Sequence, residues 1–323
     1  NTKLNYSKKY NNVIFTSNNF KGFYYNLTSK YVFWGYGTFK FTCKPKRGQL
    51  RIELWHGSPL KKVGYLTDVN FWYKYEETMS YMLCSSEYFK DILKRCFGFR
   101  DDQALIAGNP RNDYLFKSEC SLSKLGIAKD DFSKVILWMP TFRKSKMNNF
   151  NDSNSEFPIL NGNNINEFNN FLASENILVI LKLHPAQNNV GFLSSSFSNI
   201  KIYINEDLDK REIELYQLLG EADCLLTDYS SVYFDFLLTD KQIGFVIDDI
   251  SDYTDMRGFV VENILEIMPG EKISNYEEMK VFINNFKLGI DNFKVQRKSV
   301  NILANKYKDG DNCRRLLEKL LVE

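Results

Sequence analysis

The chain of 323 residues holds only two histidines, His56 and His184, and each stands at the carboxyl end of a segment expected to be a strand. Open α/β sheets bind ligands in the crevice beyond the carboxyl ends of their strands. Imidazoles at both positions are therefore placed for proton transfer near neutral pH, more than for a purely structural hydrogen bond. His56 stands in Trp55-His56-Gly57-Ser58-Pro59-Leu60-Lys61-Lys62, which adds a glycine that lets backbone approach a ligand and two cations. His184 opens His184-Pro185 after the run 177–183.

Three further strand ends carry polar residues. The run 224–227 passes into Asp228-Tyr229-Ser230-Ser231 and then a helical segment from Val232. Hydroxyls, the unpaired N–H groups of a first helical turn and the helix dipole together outline an anion site, with Thr227 and Asp228 at its base. A plain helix cap is the simpler alternative for the same residues. Runs 104–107 and 135–139 lead to Arg111 and Arg143, whose planar forks suit bidentate phosphate or carboxylate recognition when they are not surface ion-pair partners. Asp113 stands at the same crevice edge, or is the partner that orients Arg111.

These residues need a scaffold, and short apolar runs alternating with helix-length amphipathic segments predict an α/β fold with mostly parallel strands. Strands are expected at 12–16, 31–34, 51–55, 82–85, 104–107, 135–139, 177–183, 200–204, 224–227 and 243–247. Helices are expected at 87–96, 165–174, 212–222, 232–238, 276–285 and 313–322. The length predicts about two domains, and a Ser- and Lys-containing stretch at 117–132 separates two series of strands. The polar, aperiodic segment 143–164 reads as a long loop, a candidate lid.

Composition removes several classes of function. Lys and Arg number 42 against 40 Asp and Glu, too balanced for a dedicated nucleic-acid binder. The six cysteines form no Cys-x-x-Cys pair, which argues against a zinc site or a disulfide framework and fits a reducing cytosol. No apolar run approaches the roughly 20 residues that span a bilayer. Neither a dinucleotide glycine fingerprint, nor a P-loop, nor a nucleophile elbow is present. The 15% aromatic content suits core packing before any glycan platform, and the basic stretch 294–308 suits a solvated helix face before a lipid contact.

Taken in order, His-Gly-x-Pro-Leu-Lys, Gly-Asn-Pro-Arg-Asn-Asp, Met-Pro-Thr-Phe-Arg, Leu-His-Pro and Thr-Asp-Tyr-Ser-Ser-Val-Tyr-Phe-Asp-Phe resemble the CDP-glycerol glycerophosphotransferase family. That family includes teichoic acid primases and polymerases and related capsule polymerases. The resemblance runs from Trp55 to Gly270 and takes in Tyr253, Arg257-Gly258-Phe259 and Pro269-Gly270. It implies a GT-B arrangement, two Rossmann-like domains facing across a cleft, with an amino-terminal domain truncated relative to the family. Residues 1–118 would form the acceptor side, bearing Gly57, Lys61 and Asp113. Residues 119–323 would hold the CDP-alditol donor, with the terminal helix crossing back.

The implied reaction moves glycerol phosphate or ribitol phosphate from its CDP-activated form to a hydroxyl of a polyol-phosphate or lipid-linked glycan acceptor, releasing CMP. His56 would act as base. His184, Ser230, Ser231 and the helix start would meet the diphosphate, and Arg111 and Arg143 would clamp it. The residues supply the positive charge, so no metal is required, although magnesium could assist. A peripheral seat at the inner face of a bacterial membrane follows from the same resemblance, while oligomeric state stays open. Two rivals stand beside this reading: a nucleotide-sugar glycosyltransferase of the same architecture, and a non-catalytic scaffold in surface-polymer assembly.

Overall fold

A computed structural model of the chain describes residues 19–35, 44–68, 73–117, 120–141, 158–160, 164–183 and 196–321. Among them, ten strands form two wholly parallel sheets. Strands β1 (Tyr31–Trp34), β2 (Leu50–Glu53), β3 (Tyr81–Cys84) and β4 (Ala104–Ile106) lie in sequence order in the first sheet. The second contains β5 (Lys134–Met139), β6 (Ile177–Lys182), β7 (Ile200–Tyr203), β8 (Cys224–Thr227), β9 (Gln242–Val246) and β10 (Glu271–Ile273). Its order is β10-β9-β8-β5-β6-β7.

The central strands are near-continuous Val, Ile and Leu runs because both of their faces are covered; every residue of β6 and β8 is buried. In the second sheet the chain moves outward from β5 through β6 to β7, then returns to the other side of β5 as β8. Such a reversal leaves a crevice beyond the carboxyl ends of the two strands that flank it. Those ends are Met139 and Thr227, which stand opposite each other in register.

Helix Glu87–Phe97 shows how local sequence builds the walls. Ser86 accepts a hydrogen bond from the Phe89 N–H at its start, and Gly98 ends it at φ 71°. Its buried residues Phe89, Ile92, Leu93, Cys96 and Phe97 recur at helical spacing, and Phe89 meets Phe234 edge-on at 4.8 Å. One apolar cluster thus runs from the first sheet's helix into the second sheet. Leu316 and Leu320 of the terminal helix Asn312–Leu321 pack with Ile52, Leu83 and Ala107 of the first sheet.

Several elements differ from the sequence reading. The strand expected at 51–55 stops at Glu53, because Trp55 takes a left-handed φ of 53°. The helix expected at 212–222 starts at Leu215, since Glu212 is left-handed at φ 52°. The helix from Val232 ends at Phe236 and tightens into a 3-10 turn, Leu237–Thr239. Helices Phe20–Thr28 and Ile250–Arg257 were not anticipated: the first buries only Gly22 and Asn26 and the second only Tyr253, so neither carries an apolar stripe. Strand β10 is three residues, two of them charged, with no periodic signal. The strand expected at 12–16 and most of the segment 143–164 lie outside the described residues.

Candidate active site

A cleft of about 590 Å³ opens at the carboxyl ends of strands from both sheets, within the size range of small-molecule sites. From the first sheet it receives His56, Gly57, Lys61 and Arg111; from the second, Thr141, Lys182, Tyr216, Ser230 and Ser231.

The turn after β2 is tightly specified. Leu54 N–H donates to the Trp34 carbonyl at 2.7 Å, extending the β1 pairing by one residue. Trp55 then turns left-handed, and its N–H donates to Glu53 Oε1 at 2.9 Å. The His56 imidazole leans on the Trp55 ring at 4.1 Å. Gly57 has φ 135°, and a Cβ there would lie 2.5 Å from Arg111 Nη2 and 3.2 Å from Ser231 Oγ. Only glycine permits that approach, which brings the His56 turn onto the Arg111 cation of its own sheet and onto a hydroxyl from the opposite wall.

Arg111 sits on the 3-10 helix Pro110–Phe116 and donates to Asp235 Oδ2 at 2.7 Å while lying over the Tyr216 ring at 5.2 Å. The Asp235 carboxylate, 1% exposed, also accepts from the Tyr216 hydroxyl at 2.7 Å and from Asn109 Nδ2 at 3.3 Å. A buried carboxylate with three donors holds the guanidinium at the cleft wall. Burial among the cleft walls, with the Arg111 charge added, pushes the His56 pKa down to about 4, although the ring keeps solvent access. The imidazole is therefore neutral, and able to accept a proton, across the physiological range.

On the other wall, Ser230 and Ser231 line the cleft, and the Ser231 hydroxyl makes no cap bond to its own helix. Lys182 is a residue the sequence reading missed. It is buried at the end of β6 and donates to the Leu183 carbonyl at 2.9 Å and to Asn205 Oδ1 at 2.6 Å. Burial lowers its pKa against the raising effect of nearby Glu206, Asp207 and Asp209. Lys61 bridges to Phe259 in antiparallel sense and sets its ammonium 5.3 Å above the Tyr253 ring.

Three expected site residues are placed elsewhere. Thr227 is fully buried and donates to the Met139 carbonyl at 2.8 Å, tying β8 to β5. Asp228, 1% exposed, accepts from the Thr141 N–H at 2.8 Å and its hydroxyl at 3.0 Å, so it braces the Pro140–Thr141 turn behind the cleft surface. Asp113 neither lines the cleft nor orients Arg111. Its two carboxylate oxygens accept the Asn312 and Cys313 N–H groups at 2.9 and 2.8 Å, capping the terminal helix, and Asp235 takes the orienting role. Asp235 had one usable signal, a lone carboxylate in the apolar run Val-Tyr-Phe-Asp-Phe-Leu-Leu, where a buried charge needs a partner. His184 and Arg143 lie outside the described residues. Among the described residues no group of three or more His, Cys, Asp or Glu could hold a metal ion, and no helix is long and apolar enough to cross a membrane.

With this geometry established, comparison with known proteins supplies the class. The chain belongs to the CDP-glycerol:poly(glycerophosphate) glycerophosphotransferase family, whose model matches residues 1–322, and is thereby an enzyme. It is 32% identical over 286 residues to a teichoic acid glycerol-phosphate primase of Bacillus subtilis, covering 84% of this chain and 68% of that one. It is 27% identical over 344 residues to a teichoic acid poly(glycerol phosphate) polymerase of Bacillus spizizenii, covering 99% and 80%. Among solved structures, the wall teichoic acid polymerase TagF, in a variant form, superposes with a TM-score of 0.73 at 22% identity, over 90% of this chain and 74% of the other. That likeness shows a shared fold.

Proposed function

We propose that the cleft transfers glycerol phosphate from CDP-glycerol to a hydroxyl of a polyol-phosphate or lipid-linked acceptor in teichoic acid synthesis, with His56 as general base. The observation that carries this reading is the meeting at Gly57, where the turn bearing a neutral imidazole touches the Arg111 guanidinium and the Ser231 hydroxyl. A base and two diphosphate-type donors converge on one crevice, as attack by an alcohol on an activated phosphate requires.

In the proposed reaction His56 takes the acceptor hydroxyl proton as that oxygen bonds to the phosphorus bearing glycerol. The bond from this phosphorus to the bridging oxygen breaks, and CMP leaves with the electron pair. Arg111, Ser230 and Ser231 stabilise the charge growing on CMP, and Lys182 adds a buried positive charge on the same wall. His184, which follows the cleft residue Leu183 in sequence, is proposed as a further donor to the leaving phosphate. Lys61 and Gly57 face the acceptor. These side chains carry the catalytic charge without a metal in this reading. Residues 1–118 and 119–323 would act as the acceptor and donor units of a GT-B arrangement, working at the inner membrane face.

The assay is CMP release with CDP-glycerol, CDP-ribitol and a panel of UDP- and CMP-sugars. Release from CDP-glycerol exceeding the others by tenfold or more supports the reading. Release only from a nucleotide sugar replaces it with a glycosyltransferase, and no release from any of these donors overturns it.

The lowered His56 pKa sets a pH dependence with a definite sign. The base works when unprotonated, so the acid limb of kcat/KM, which reports free enzyme, should fall near pH 4 and well below the ordinary histidine value. A bound diphosphate brings negative charge beside the ring and opposes Arg111, so the acid limb of kcat should lie at higher pH. A profile of CMP release from about pH 3 to pH 8 checks both. A kcat/KM limb at the unperturbed histidine position would show that neither burial nor the Arg111 charge lowers the His56 pKa.

A further inference from the structure

The turn that carries His56 is held by a residue outside the cleft. Glu53 closes β2 and is fully buried, yet both of its carboxylate oxygens are engaged. Oε1 accepts the Trp55 N–H at 2.9 Å and Oε2 accepts the Tyr75 hydroxyl at 2.8 Å. Trp55, at φ 53°, is a bulky residue in a conformation that L side chains avoid, and such a turn persists only where its surroundings over-determine it. Two sets of contacts do so here. The carboxylate binds its N–H, and its ring sits edge-on to Phe97 at 4.5 Å, with Phe97 in turn against Tyr75 at 4.9 Å. A closed loop of contacts, Tyr75–Glu53–Trp55–Phe97, therefore lies directly beneath the imidazole, which rests on the Trp55 face at 4.1 Å.

We propose that Glu53 is a positioning residue for the reaction: its buried carboxylate locks the left-handed Trp55 turn that aims His56 into the cleft. Without the acceptor, Trp55 relaxes toward extended backbone, the imidazole rotates off its line, and Gly57 withdraws from Arg111 and Ser231. Glutamine can preserve the bond to Trp55, since its amide oxygen accepts the same N–H and its amide nitrogen can donate to the Tyr75 oxygen. Burial also pushes the Glu53 carboxyl up to about 7, so a neutral side chain at this place is not foreign to the fold.

The proposal rests on His56 as base, and a double-mutant cycle separates the two ideas. Glu53→Ala should lower kcat roughly 10²-fold, as expected for a misplaced catalytic group, with KM for CDP-glycerol changed less than about threefold because Arg111 keeps its anchor on Asp235 and Ser231 its place at the helix start. Glu53→Gln should recover most of that loss. In a His56→Ala background, Glu53→Ala should cost less than about threefold further, because the group it positions is gone. Should Glu53→Ala fail to fold, the cycle is run with Tyr75→Phe, which loosens the carboxylate and leaves its bond to Trp55. A drop of about fivefold that disappears in the His56→Ala background is then expected. A slow His56→Ala enzyme with an additive loss from Glu53→Ala or Tyr75→Phe, or a Glu53→Gln enzyme as slow as Glu53→Ala, overturns this proposal alone. A fast His56→Ala enzyme overturns the base assignment and this proposal together.

Discussion

Replacing His56 by alanine should cut CMP release from CDP-glycerol by about 10²-fold or more, the usual contribution of a positioned general base, while donor affinity changes little. The two effects separate because the imidazole projects from the first sheet's turn, whereas the proposed phosphate contacts come from Arg111, Ser230 and Ser231. The lowered pKa keeps the ring unprotonated in the free enzyme, so its removal takes away a proton acceptor and no resting positive charge. Single-turnover kinetics with calorimetric titration of CDP-glycerol measure both quantities. A variant retaining more than about a tenth of the parent rate has lost no essential base.

Asp235→Ala should have the largest effect on stability and a secondary effect on donor binding. The carboxylate is 1% exposed and gathers Arg111 and Asn109 from one segment and Tyr216 from a second. Deleting it leaves a guanidinium and a half-buried phenol without their acceptor, and breaking a buried pair in this way costs roughly 3–5 kcal/mol. For a chain of this size that is a fall on the order of 10 °C in melting temperature. Arg111 is 27% exposed toward the cleft, so some of the cost is recovered as it turns to water, and the lower end of the range is expected. Released from the wall, it should also bind CDP-glycerol more weakly. Asp235→Asn, which keeps an acceptor but not the charge, should fall between. Thermal melts and calorimetry on the three proteins provide the check; an alanine variant equal to the parent in both would show that Arg111 is held by something other than Asp235.

How far the site could be read in the sequence depended on the range of the interactions involved. The parallel α/β class was legible because the central strands are short, mostly apolar runs between helix-length amphipathic segments, and β1 and β8 match their expected limits residue for residue. The placement of His56, Gly57, Lys61, Arg111, Ser230 and Ser231 along one crevice was legible too. Strand ends are local features, and parallel sheets collect such ends on one edge. The roles of Thr227, Asp228 and Asp113 were not legible. A hydroxyl or carboxylate next to a ligand site has the same local sequence as one that braces the loop behind it, and burial decides between them.

Local pattern, then, was sufficient for most strands and helices and for the crevice that the candidate side chains line. What required the folded chain was pairing across long separations. Arg111 and Asp235 stand 124 residues apart and Asp113 caps a helix 199 residues away. The bent turn at Trp55 likewise needs a carboxylate, a phenol and a phenyl ring from three elements. Hydrogen bonds and ion pairs act over a few ångströms, so their partners are set by which elements pack together, and spacing along the chain carries no record of them.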